Sequence, residues 1–439
     1  MLGSARSSKF FSPYKREQTL KMKKVYSSIL LVALMAIATV AQLSAQGITS
    51  PYSKFGYGLL GDGATGIQRS MGGVGYAMQN GRLVNAMNPA SYAATDSLTF
   101  LFDMGLDLSQ SWSQDGDERG NAFGGGLDYI TMQFPISKNM GASVGVIPFS
   151  AVGYNYGKTI DNGSDQRVGD GGINQLYVGY GIRPIAGLSV GFNASYVFGS
   201  TVNSTYAYSS GAGSTTLFER IVQVRDWGLQ FGAQYTHRFN RKNYATIGAV
   251  YSLGKSLHGN TWGTYFDSQD KKLSSTDTIS MGGKYDIPST YGVGISYTHN
   301  NRLTAELDFT YQPWKNAKFT PLPSFDTEGT NLNFNNRWKV AAGLSYQPNP
   351  RGGYFKRTTY RMGAYYNNDY MNIAGNGVRD YGASVGVSLP VPGGKTLVNI
   401  GVEYKHRTSS PTVLVKEDYL NITLGVTFNE MWFWQNKIR

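Results

Sequence analysis

The sequence predicts an all-β fold: a transmembrane antiparallel β-barrel of fourteen strands, preceded by an N-terminal segment without alternation. Three observations predict it. Stretches of roughly ten residues alternate between apolar and small polar side chains down most of the chain, the period of a strand with one greasy face. An export leader precedes them. No later apolar run approaches the ~20 residues that a membrane helix needs. Tyr419 to Phe428 is the template: Leu420, Ile422, Leu424, Val426 and Phe428 form one face, and Asn421, Thr423, Gly425 and Thr427 the other. A soluble sheet can show this pattern once. Its recurrence behind a leader points to the outer membrane of a bacterial cell, because only helices and closed barrels satisfy their backbone in lipid.

Composition agrees. The 439 residues include 55 Gly, 31 Tyr and 21 Phe, with only 15% charged residues. Gly is a poor helix former and Tyr suits a pleated surface. The chain has no Cys, which excludes disulfides, thiol chemistry and a lipid anchor on an N-terminal Cys. Half of the net charge of +12 lies in residues 1–45, where Arg6, Lys9, Lys15, Arg16, Lys21, Lys23 and Lys24 face a single acid, Glu17. The remainder has no basic run, which speaks against a nucleic-acid partner.

In residues 1–45 the lysines 21, 23 and 24 precede an apolar run from Ile29 to Ala41, and Leu43-Ser44-Ala45 follows. This is the layout of a secretory signal peptide, with cleavage expected after Ala45 and Met22 as an alternative start. Residues 46–97 lack alternation. They hold Phe55-Gly56-Tyr57-Gly58, then Met71-Gly72-Gly73-Val74-Gly75-Tyr76-Ala77, then Asn88-Pro89-Ala90. Gly-rich pieces of this kind suit compact irregular backbone, either a plug or a periplasmic tail.

The order Met-Gly-Gly-x-Gly-x-Ala, then Asn-Pro-Ala, then a first strand, resembles the FadL/TodX family of outer-membrane channels for hydrophobic compounds. The resemblance implies a fourteen-stranded barrel with residues 46–97 as its hatch. Gly72, Gly73, Gly75, Asn88, Pro89 and Ala90 would belong to that hatch.

From residue 98 to 428 the alternation gives strands at 98–112, 122–135, 139–156, 171–183, 187–205, 215–237, 242–257, 288–299, 302–315, 334–347, 357–368, 378–389, 395–407 and 415–428. Links after odd strands are longer, notably 158–170, 206–214, 258–287 and 316–333, and links after even strands are mostly short. Short turns on one side and long loops on the other are the habit of outer-membrane barrels. Strand three carries Pro148 at its centre, which implies a bulge, kink or local edge. Alternation puts Pro148 and Ser150 outward and Ile147, Phe149 and Ala151 inward. A broken ladder beside an apolar inner patch points to a side opening, and the FadL-type resemblance implies the same, a kinked third strand through which hydrophobic cargo leaves.

The charges Asp103, Asp107, Glu306, Asp308, Lys339, Arg361, Glu403 and Lys405 fall in inward rows. Outward placement would cost about 2–4 kcal/mol each near the midplane. Their expected task is to pair with one another or hold the hatch, with contact between Arg361 or Lys339 and a substrate carboxylate as the sharper reading. Phe309-Thr310-Tyr311-Gln312-Pro313-Trp314 also looks like FadL-type sequence, and Tyr311 and Trp314 suit an interfacial girdle. The tail 429–439 carries Met431, Trp432, Phe433 and Trp434, suited to the periplasmic interface or a protein partner.

Enzymatic and metal chemistry find little support. Gly254-Lys255-Ser256 and Gly394-Lys395-Thr396 lack the upstream Gly of a phosphate loop, having Ala249 and Leu389 there. The four histidines are isolated and no zinc spacing exists. Asp115-Gly116-Asp117-Glu118 and the acids 161–165 read as solvated loops, with calcium as the alternative. No cofactor is implied. The expected function is passive uptake of hydrophobic small molecules such as long-chain fatty acids, with outer-membrane lipid and the ligand as partners. The alternative is a FadL-like barrel that binds proteins in a type IX-like secretion system, through its extracellular loops or tail. A porin comes third, because a plug-sized segment precedes the barrel.

Overall fold

The computed structural model describes residues 50–209, 215–267, 277–281, 285–320, 332–392 and 395–431. The signal peptide, its cleavage site and the aromatic tail after Met431 lie outside the described residues. Fourteen antiparallel strands close on themselves: β1 (Thr99–Asp115), β2 (Glu118–Ser137), β3 (Met140–Ala151), β4 (Gly163–Ile185), β5 (Leu188–Ser209), β6 (Thr215–Arg238), β7 (Asn243–Ser252), β8 (Thr290–His299), β9 (Leu303–Gln312), β10 (Arg337–Tyr346), β11 (Thr359–Ile373), β12 (Asn376–Pro390), β13 (Leu397–Ser410) and β14 (Lys416–Met431). The ladder from Thr99–Met431 to Gln114–Lys416 joins β1 to β14 and completes the ring. Closure removes the sheet edges along nearly the whole ring, which is what lets strands cross lipid.

The period-two pattern sorts the side chains as the sequence predicts. On β8, Tyr291, Val293, Ile295 and Tyr297 are about half exposed, while Ser296 and Thr298 are buried. Here "exposed" means facing lipid. Inside, residues 50–97 fill the lumen with short turns, helical turns and one two-residue strand, Leu59–Leu60. Pro89–Ala94 forms a 3-10 helix, capped when the Asn88 side chain accepts from the Ala90 N–H at 3.1 Å. Gly66–Arg69 forms one helical turn behind a Thr65/Gln68 capping box.

Three sequence expectations change. First, β4, β5 and β6 run to 22–24 residues, where a crossing needs about 9–11. The stretches 158–170, 206–209 and 259–267 are therefore sheet, not loop. With Tyr154–Ile160 and Asp277–Met281 they make a six-stranded extension beyond the extracellular rim. Second, Ser150 faces inward and is 3% exposed. The β3–β4 register skips between Pro148 and Ser150, so Phe149 is an extra residue and the alternation flips after it. Third, Trp314 is not a girdle residue. It is fully buried in the lumen mouth, its Nε1–H donating to Gln312 Oε1 at 3.0 Å.

Barrel glycines give the hatch its room. A Cβ at Gly191 would lie 2.5 Å from the Pro89 carbonyl oxygen, and one at Gly248 would collide with the Tyr76 carbonyl. Gly248→Val should therefore unseat the hatch at a cost of about 1–3 kcal/mol while the ring stays closed. Heat-modifiable gel mobility should be unchanged, and limited proteolysis should show new cleavage near Tyr76.

Candidate functional site: a hatch held by charge beside a gap in the wall

The middle of the hatch exposes backbone N–H groups that no hatch residue accepts. β9 supplies the acceptors. Asp308 Oδ2 accepts from the Gly75 and Tyr76 N–H at 2.7 and 2.9 Å, and Glu306 Oε1 from the Ala77 N–H at 3.0 Å. Gly72 and Gly73 are left-handed, at φ +74° and +82°, conformations that cost a side-chain-bearing residue dearly. The Gly72 N–H donates to Ser384 Oγ at 3.0 Å.

Cations of the wall meet acids of the hatch, and the reverse. Asp62 binds Arg337 Nη2 at 2.5 Å and Lys339 Nζ at 2.6 Å. Lys339 also lies over the Tyr365 ring, 4.4 Å from its centroid. Burial pushes the Asp62 carboxyl up, but Lys339 and then Arg337 overcome this and hold it well below the usual carboxylate range. Arg69 reaches Asp128 at 2.8 Å and Asp107 at 3.8 Å.

Sequence gave the inward placement of Asp107, Glu306, Asp308 and Lys339 but not their partners. Asp62 was missed because a lone acid in irregular sequence carries no signal. Asp128 was missed because the β1–β2 register slips beside it, which turns it inward out of phase. Arg337 shares the odd-numbered inward row with Lys339 and could have been found there.

The remaining lumen charges hold the wall. Arg361 donates to Ser388, Ser388 to Asn399, Asn399 to Thr427 at 2.9 Å, and Thr427 to Asp103 at 2.9 Å, a chain from β11 to β1. Glu403 accepts from the Tyr365 hydroxyl at 2.7 Å. Lys405 lies over the Tyr419 ring at 4.3 Å. Higher up, Arg407 sits among Asp380, Asp369 and Glu417 at 3.5–3.9 Å.

The start of the hatch rises to the extracellular mouth. Tyr57 packs on Trp314 and Phe319, and Trp314 on Phe334 and Tyr370, with centroids 4.5–5.9 Å apart. The Tyr370 hydroxyl donates to the Gly58 carbonyl at 2.7 Å and accepts from the Tyr57 N–H at 3.1 Å. Aromatic packing thus closes the top, and Asn88, Pro89 and Ala90, all buried, pack low in the lumen.

The ladder between β2 and β3 is short. β2 pairs with β3 from Ser137 up to Ile130, opposite Val146, and no further. Beyond that point β3 leans to the hatch, where Ser150 and Ala151 pair with Leu60 and Leu59. A cavity of about 150 Å3 lies inside this gap, bordered by Ile147, Pro148 and Phe149 of the wall and by Asp62, Tyr76 and Met87 of the hatch. Among the described residues no cluster of His, Asp and Glu has the arrangement of a metal site.

Comparison with known proteins places this architecture. The family model described as BamG matches residues 22–439. The chain belongs to the BamG family. Its fold is that of the FadL-like barrels. A Pseudomonas aeruginosa FadL homologue superposes with a TM-score of 0.62 at 13% identity, covering 85% of this chain and 99% of that one. The P. putida toluene transporter TodX gives 0.56 at 13%, covering 85% and 100%. The Ralstonia pickettii toluene transporter TbuX gives 0.54 at 14%, covering 84% and 98%. At these identities the likeness is one of fold. No curated protein matches the chain.

Asp62→Asn should leave Arg337 and Lys339 without their anion and cost about 1.5–3 kcal/mol, read as a lower hatch-unfolding midpoint in denaturant and as added conductance in planar bilayers. The pH dependence has a fixed sign. The folded carboxyl titrates below its unfolded value, so the lock's stability is complete above an unfolded value of about 4 and is lost as pH falls through the lower, folded one. Acid-induced conductance should thus begin only below about pH 4, and the variant should lack that step.

Proposed function

We propose that the chain is an outer-membrane channel for small hydrophobic molecules, which holds its cargo in the cavity behind Pro148 and exchanges it with the bilayer through the gap between β2 and β3. The observation that carries this reading is the ladder that stops at Ile130–Val146 directly outside a cavity bordered by Ile147, Pro148 and Phe149. Transfer from that cavity into lipid never returns an apolar molecule to water. Toluene, the cargo named for two of the structural neighbours, suits the size: about 150 Å3 is what a benzene-sized molecule fills. A long-chain fatty acid needs the hatch to shift, and the charge lock at Asp62 is where a shift would start. No energy source is required for passage down a gradient.

The alternative, a protein-binding barrel of a secretion system, draws support from the six-stranded extension above the rim, which a passive pore does not need.

Proteoliposomes with a lipopolysaccharide outer leaflet, which resists apolar solutes, should admit toluene well above the rate of the same vesicles without protein. Ile147→Trp, which fills the cavity, should lower that rate about tenfold with the barrel still heat-modifiable. Equal rates with and without protein, together with a native mass spectrum free of bound small molecules, would sink the channel reading.

A further inference from the structure

The two lips of the wall gap are unlike any other part of the ring. The upper half of β2, Glu118–Tyr129, pairs with β1 along its whole length. On its other side no described strand pairs with it, because the ladder with β3 ends at Ile130, opposite Val146. The facing lip, Tyr154–Ile160, pairs with β4 among the described strands. Residues of both lips border one cleft of about 840 Å3, with Glu118–Ala122 on one wall and Asn155–Thr159 on the other. The hatch residues Pro51, Tyr52 and Phe55 form its floor.

Lipid alone does not satisfy the β2 lip. Phe123 is 51% and Leu127 58% exposed, so Phe123–Leu127 belongs to the apolar band and its backbone faces the gap at membrane depth, while the cleft lies along the polar Glu118–Ala122. Acyl chains carry no groups to meet a row of N–H and C=O, and each one left without a partner costs several kcal/mol. The ligand that meets such a row is another polypeptide in extended form. The chain already shows the geometry once, where Leu59–Leu60 adds antiparallel to Ser150–Ala151 of the other lip.

We propose that the β2 lip accepts an extended segment of a partner polypeptide, which adds to Glu118–Tyr129 as a strand and closes the wall. The chemistry of that segment follows from its neighbours. Apolar residues alternate on the side of Phe123 and Leu127. Small polar residues alternate on the lumen side, beside Gly124, Gly126 and Asp128. Its upper end meets Glu118 and Arg119 on one lip and Lys158 on the other, so it carries charge of both signs there. A cleft of this volume admits one strand and not a second barrel. This inference stands apart from the channel reading: strand addition and toluene passage are measured separately, and either can fail alone.

The test uses the full chain in lipid nanodiscs with the photo-cross-linker p-benzoylphenylalanine at Asn121. The probe is a synthetic peptide copying residues 419–428, which has the required alternation; the control is the same peptide with alternate backbone amides N-methylated. The unmethylated peptide should cross-link at least tenfold more strongly, and a cross-linker at Val293 on β8 should capture neither. Amide exchange across Glu118–Tyr129 should slow at least tenfold on adding the peptide, with β8 unchanged. The proposal is overturned by equal labelling with both peptides, by no change in exchange, or by β2 amides as slow as those of β8 before any peptide is added. Cross-links found only to lipid or to a second copy of this chain overturn it as well.

Discussion

Every strand of this protein answers to one constraint: in hydrocarbon, backbone N–H and C=O groups must find partners within the polypeptide. Closing β1 on β14 meets that demand for thirteen of the fourteen seams. At the fourteenth, β3 leaves β2 and turns to the hatch. The cause is local. Pro148 cannot donate to a ladder, and the extra residue at Phe149 changes which face the strand presents. The opening, the cavity behind it and the hatch strand at Leu59–Leu60 all follow from that short stretch.

A second consequence concerns charge. Irregular backbone in a lumen is tolerated only if its polar groups are met. A β-barrel presents mostly side chains to its lumen, so most partners of the hatch are side chains; the exception is the bulged end of β3, whose backbone meets Leu59–Leu60. This explains why carboxylates such as Asp308 and Glu306 point at amides, and why Arg337 and Lys339 converge on Asp62. The inner face is polar because it is the other half of a folding interface.

The fold was legible because barrel strands obey a period of two over long stretches, and fourteen such stretches stand in the sequence where the strands stand in the structure. Strand ends were not legible. Beyond the bilayer neither face is apolar, so alternation fades while pairing continues, as it does in β4 to β6. A break at Pro148 was legible because proline cannot join a ladder, but the surplus residue at Phe149 and the slip beside Asp128 were not: register depends on the neighbouring strand. Trp314 misled because an aromatic at a strand end suits a membrane interface and a lumen seal equally, and only the arrival of Tyr57 from the hatch decides between them. The roles of the hatch and gap residues are of that same long-range kind.

The aromatic seal joins residues far apart in the chain. The bond from the Tyr57 N–H to the Tyr370 hydroxyl spans 313 positions, and Trp314 and Phe334 flank the connection between β9 and β10. Contacts of such separation form slowly, since the loop entropy is lost before the contact repays it. The aromatic seal is therefore settled late. Until β11 is in place it lacks Tyr370, and the upper hatch is held from the β3 side, through Leu59–Leu60 and Ser50. The hatch is thus anchored from one side before the other, and the docking of Tyr57 on Tyr370 joins the two.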